Sequence, residues 1–93
     1  MKKELIDYTV QIWKEGNQYI AHASPIDIMS SGSTPEEARS AVKEAVRLFI
    51  DTAGELGTLE DILDECGYVL TEEDEWISPL WIAIEKQSVS LGA

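Results

Sequence analysis

The stretch GSTPEEARSAVKEAVRLFI, residues 32–50, writes out a helix whose start is specified several times over. Thr34 is placed to accept a hydrogen bond from the Glu37 backbone N–H while the Glu37 carboxylate reaches back to the Thr34 N–H, a capping box. Pro35 falls at the first helical position, where its missing N–H costs nothing and its fixed φ is already helical. Glu36 and Glu37 add negative charge beside the positive end of the helix dipole. Ala38, Ala41, Val42, Ala45, Leu48, Phe49 and Thr52 recur at helical spacing as one stripe, with Arg39, Lys43, Glu44, Arg47 and Asp51 away from it. Such a stripe, small at its start and bulky at its end, suits a helix lying across a twisted sheet. Gly57 suits the left-handed residue that closes a helix.

The sheet is legible upstream. Residues 7–14, DYTVQIWK, alternate, with Tyr8, Val10 and Ile12 on one face and Thr9, Gln11 and Trp13 on the other. Glu15, Gly16 and Asn17 supply turn chemistry, and QYIAHAS, residues 18–24, resumes the alternation with Tyr19, Ala21 and Ala23 together. Pro25 interrupts that run, so a third short strand is expected over residues 26–30, ended by a turn at Ser31, Gly32 and Ser33. Downstream, Thr58 is placed to cap a shorter helix whose Leu59, Ile62, Leu63 and Cys66 share a face and which Gly67 ends. The last quarter predicts an acidic loop at residues 71–75, a short extended piece near Val69 and a closing strand within residues 81–91. The expected class is α+β: a three-stranded antiparallel meander, two helices and a closing strand, with the helices on one face.

The chain has 93 residues, enough for one domain with a single modest core. It shows neither a signal-peptide pattern nor an apolar run near the roughly 18 residues a membrane span requires, so a soluble, cytoplasmic protein without membrane attachment is expected. Cys66 is the lone cysteine, which excludes an internal disulfide and a multi-cysteine zinc site. The formal net charge is -11, and residues 58–76 carry Glu60, Asp61, Asp64, Glu65, Glu72, Glu73, Asp74 and Glu75 without a lysine or arginine. Nucleic-acid affinity comes largely from cations displacing phosphate counterions, so direct nucleic-acid binding is not expected. An acidic surface fits either simple solvation or a basic protein partner.

His22, the single histidine, reads as a structural or surface imidazole. Ser24, Ser30, Ser31 and Ser33 lie outside any G-x-S-x-G context and read as turn residues. Neither phosphate-binding glycine pattern is present, and no cofactor or metal is expected. Trp13 lies opposite the face the helix should cover, so it is either an exposed interface anchor or a residue packed under the C-terminal segment. Trp76 and Trp81, on either side of Pro79, pose the same choice, with a core-covering role favoured.

The entry Gly32, Thr34, Pro35, Glu36, Glu37, Ala38, the helix AVKEAVRLFI and the preceding strands together resemble the HicB-like antitoxin family over roughly residues 8–68. Ile28 and Met29 stand where many relatives carry a proline-glycine-type turn. The resemblance implies a partial ribonuclease-H-like fold in a noncatalytic protein that binds and silences a small basic mRNA-cleaving toxin of the HicA type. Many relatives append a DNA-binding segment; the residues after Gly67 contain no basic helix, so a single domain over residues 1–93 without that appendage is expected. The ribonuclease-H-like resemblance also raises two-metal nuclease chemistry, which needs converging carboxylates. The strand carboxylates Asp7, Asp27 and Glu85 carry no sequence sign of convergence. Partner binding is therefore assigned to Trp13, Glu72, Glu73, Asp74, Glu75 and Trp76, with self-association through an open strand edge also expected. An orphan self-assembling module without a toxin is the other reading.

Overall fold

Alternation in the first part of the chain becomes a meander of three antiparallel strands: β1 (Thr9–Glu15), β2 (Gln18–Ser24) and β3 (Ile28–Gly32), in the order β1-β2-β3. These come from a computed structural model, which describes residues 5–92. Helix α1 (Pro35–Leu56), helix α2 (Leu59–Glu65) and a two-stranded ribbon, β4 (Val69–Leu70) against β5 (Trp76–Ile77), complete the α+β fold in the expected order.

The β1–β2 hairpin turns on Gly16 and Asn17, with Gly16 at φ 59°, the positive φ that a primed two-residue turn asks of its first residue. Its register sets Val10 opposite Ala23 and Ile12 opposite Ala21, so these residues and Tyr19 share the helix-facing side. The third strand starts two residues later than the sequence suggests and continues through Ser31 and Gly32. Residues 25–27 are consumed by a turn in which the Asp27 N–H donates to the Ala23 carbonyl at 2.8 Å and Asp27 takes φ 67°.

The cap of α1 forms as the sequence dictates, with one change of partner. The Glu37 N–H donates to Thr34 Oγ1 at 3.0 Å, but the Glu37 carboxylate accepts from the Ser33 N–H at 2.8 Å rather than from Thr34. At the other end Gly57 is left-handed (φ 77°). The Thr58 and Gly57 N–H groups donate to the Ala53 and Gly54 carbonyls, satisfying two carbonyls that the helix leaves orphaned. Thr58 does not cap α2 with its side chain; its hydroxyl points back to the Ala53 carbonyl. The buried lane of α1 is Ala38, Val42, Val46 and Ala53, flanked by half-buried Phe49 and Ile50. Leu48 and Thr52, expected in that lane, are exposed, Leu48 by 68%.

The core joins Ala21, Ala23 and Ile26 of the sheet side to Ala38, Val42 and Val46 of α1 and to Leu63 and Tyr68. Alanines on both packed surfaces let the helix lie close to β2 and β3. Gly32 serves the same approach: a Cβ there would sit 2.6 Å from the Ala38 nitrogen. Helix α2 ends like α1, with Gly67 left-handed and the Tyr68 N–H donating to the Leu63 carbonyl at 3.0 Å. Leu63 and Tyr68, which this motif brings into contact range, are among the most deeply buried side chains.

The expected closing strand within residues 81–91 is not formed. The last strands are Val69–Leu70 and Trp76–Ile77, and residues 78–90 run on without secondary structure. A strand exists only where a partner takes its backbone groups, and among the described residues none does so for this segment.

Candidate partner-binding surface

The acidic tract is displayed by the β4–β5 ribbon. Thr71 organises it: its N–H donates to the Glu75 carbonyl at 2.8 Å, its carbonyl accepts from the Asp74 N–H at 3.0 Å, and its hydroxyl accepts from the Glu75 N–H at 3.1 Å. Asp74 takes φ 62°, a conformation that aspartate tolerates better than most side chains. Glu72, Glu73, Asp74 and Glu75 are all exposed on this turn. No lysine or arginine occurs between Arg47 and Lys86, so the chain carrying the turn presents one sign of charge.

The two tryptophans assigned with the tract sit differently. Trp76 pairs with Leu70 across the ribbon and is half-buried against the core cluster, so its indole anchors the turn to the domain. Trp13 lies near the hairpin end of β1 on the face away from α1 and is 37% exposed. It also lines an open groove of about 790 Å³ with Gln11, Ile12, Ile84, Glu85 and Lys86. Trp13 is thus accessible, and the C-terminal segment passes beside it. The same sheet face carries Ile20, paired with Trp13, and Met29, which is 55% exposed.

One cluster was not expected from the sequence. His22 Nε2 lies 2.7 Å from Asp27 Oδ1, and Ser24 Oγ lies 3.1 Å from His22 Nδ1. The two bonds fit one neutral tautomer, in which Nε2–H donates to the carboxylate and Nδ1 accepts from the hydroxyl. Asp27 is 85% exposed, so the array lies at the surface instead of in the water-excluded cleft that makes such a relay reactive. Its evident work is to tie the left-handed Asp27 turn to β2. The signal was present in the i, i+2 spacing of His22 and Ser24, which puts them on one strand face; the return of Asp27 depends on the turn and was not readable.

Cys66 packs against the core, and burial first, then Glu65 and Asp27, push its thiol up from the ordinary value, which disfavours the reactive thiolate. Among the described residues no group of three or more histidine, cysteine, aspartate or glutamate side chains is placed to hold a metal ion. None of the described helices is long and apolar enough to cross a membrane. A smaller concavity of about 290 Å³ lies between the first described residues and α1, with Lys43 and Arg47 beside Ile6, Tyr8 and Val46.

The C-terminal segment is a further exposed surface. Leu80, Ile82, Ile84, Val89 and Leu91 are 85%, 86%, 63%, 88% and 97% exposed, an accumulation of bare aliphatic surface on one short stretch. Its strand-like alternation was visible; the absence of an internal partner was not.

No protein-family model matches this sequence, and no curated protein and no solved structure matches it either.

Proposed function

We propose that this chain is a noncatalytic, antitoxin-like binding protein that neutralises a small basic mRNA-cleaving toxin of the HicA type by covering its RNA-binding surface. The observation that carries the reading is the ordered acidic turn: four consecutive carboxylates held outward by Thr71 and seated on the core through Trp76. An RNA-cleaving protein must present cations to phosphates, and the same cations are attracted to such a turn. The sequence resemblance described above names the partner class. Aromatic and aliphatic groups supply most of the affinity in interfaces of this kind, and Trp13 with Ile20 and Met29 offers them on the uncovered sheet face. The chain works in this reading as a competitor for a surface, without cofactor or metal.

The test is an RNA-cleavage assay with a purified small basic toxin encoded beside this chain's gene. Added at equimolar amount, the chain is expected to stop cleavage, and the two proteins to elute together at moderate salt. Full cleavage with a several-fold excess of this chain overturns the reading. The alternative, an assembling module with no toxin, is favoured by the bare aliphatic C-terminal segment and would show self-association without inhibition.

A further inference from the structure

We propose that residues 80–86 form an exchanged arm, which adds as a fourth strand to the outer edge of β1 in a second copy of the chain, reciprocally, to make a dimer. The arm has the pattern of a strand without a ladder. Leu80, Ile82 and Ile84 alternate with Trp81, Ala83 and Glu85, yet no backbone pairing engages them among the described residues. Its length of seven residues equals that of β1. On the receiving side, β1 pairs only with β2 among the described strands, so half of its backbone N–H and C=O groups face outward along an edge.

One register satisfies both sides. If Leu80, Ile82 and Ile84 continue the face of Tyr8, Val10 and Ile12, they extend the apolar face on the α1 side of the sheet, and Trp81 falls on the face of Trp13. Within one chain this does not happen: the segment passes beside Gln11, Ile12 and Trp13 across an open groove, and its aliphatic side chains stay exposed. The root of the arm is fixed, since the Pro79 ring lies close enough to Gly67 that a Cβ there would be 3.1 Å from its Cγ. The radius of gyration, 16.0 Å, exceeds the roughly 12 Å of a compact domain of this length, as expected of a projecting arm.

Charge selects the occupant. Residues 78–92 carry one glutamate and one lysine, Glu85 and Lys86, and so are neutral within a chain of net charge -11. A basic partner gains nothing from that stretch, whereas two copies of an acidic protein can meet only where they do not repel.

The test uses the chain alone, so its outcome is independent of the toxin reading. Light scattering on the size-exclusion peak should give twice the 10.3 kDa chain mass at tens of micromolar. The double variant Ile82→Pro, Ile84→Pro should elute as monomer with the helical far-ultraviolet signal kept, because both side chains are exposed in the monomer and lie outside the helices. In hydrogen exchange, the β1 amides that point away from β2 should be slow in the wild type and at least tenfold faster in the variant. A wild-type chain that remains monomeric at several hundred micromolar overturns the proposal. A dimer that survives both prolines, or that leaves the outer β1 amides unprotected, overturns it equally.

Discussion

Tyr68 connects three parts of the molecule. Its N–H closes α2 on the Leu63 carbonyl, its ring is 2% exposed in the core, and its hydroxyl donates to the Asp7 carbonyl just before β1. Burial, and then the negative charges that Cys66, Asp7 and Tyr8 can carry, push the phenol from its ordinary value of 10.0 up to about 12. The folded chain therefore holds a proton that the unfolded chain has released between these two values. Stability linked to this group is complete below pH 10 and is lost as pH rises through about 12. The loss reaches about 2 to 3 kcal/mol, at about 1.4 kcal/mol for each pH unit of difference. Urea unfolding between pH 9 and about 11.5 should show this fall in the wild type and a shallower one in Tyr68→Phe. The variant itself should be less stable at neutral pH by about 1 kcal/mol, the net contribution of one hydrogen bond. Parallel pH profiles for the two proteins would refute the assignment.

At the scale of elements, the junction between β3 and α1 explains why so small a chain specifies one helix start so fully. The helix must begin immediately after the strand, with Gly32 pressed against the backbone of its first turn. Gly32→Ala brings a methyl to 2.6 Å from the Ala38 nitrogen and 2.8 Å from the Glu37 carbonyl carbon, both backbone atoms that no rotamer change can move. Its expected cost is roughly 1 to 3 kcal/mol, read as a lower midpoint in urea. Gly54→Ala is the control: nothing lies within 4 Å of a Cβ there, and the variant should be as stable as the wild type or more so. These local rules were what the sequence made legible. The cap, both glycine-closed helix ends, the hairpin turn and the inward face of β1 and β2 follow from residue type and spacing alone. The phase of α1 did not. Leu48 and Val46 are equally plausible by apolarity, and an apolar side chain often remains on a folded surface; the position of the sheet, a tertiary fact, selects Val46. Likewise the start of β3 was set by the Asp27 turn, and the closing segment failed to become a strand for want of a partner. Among the site residues, the exposure of Glu72–Glu75 was readable from composition, but the seating of Trp76 on the core needed the ribbon that Thr71 closes.

At the scale of the whole molecule, charge and apolar surface are segregated. Acidic groups dominate the chain from α2 through the β4–β5 turn, while residues 78–92 are neutral and largely apolar, so the surfaces proposed for a basic partner and for a second copy lie on different segments. The two proposed roles can then be separated by mutation. Replacing Glu72, Glu73 and Glu75 with glutamine and Asp74 with asparagine removes four charges but keeps side-chain size, and asparagine tolerates the left-handed backbone at residue 74. All four side chains are exposed, so the fold should be kept. Association with the proposed basic toxin should slow by on the order of tenfold at low salt, because steering acts on the encounter. Raising the salt from about 50 to 500 mM contracts the Debye length from about 14 to 4 Å. The wild-type association rate should therefore fall steeply over that range, and the variant's should change little. Stopped-flow association at several salt concentrations measures both slopes. Identical slopes would remove the turn from the interface and leave the sheet face of Trp13 as its remaining candidate.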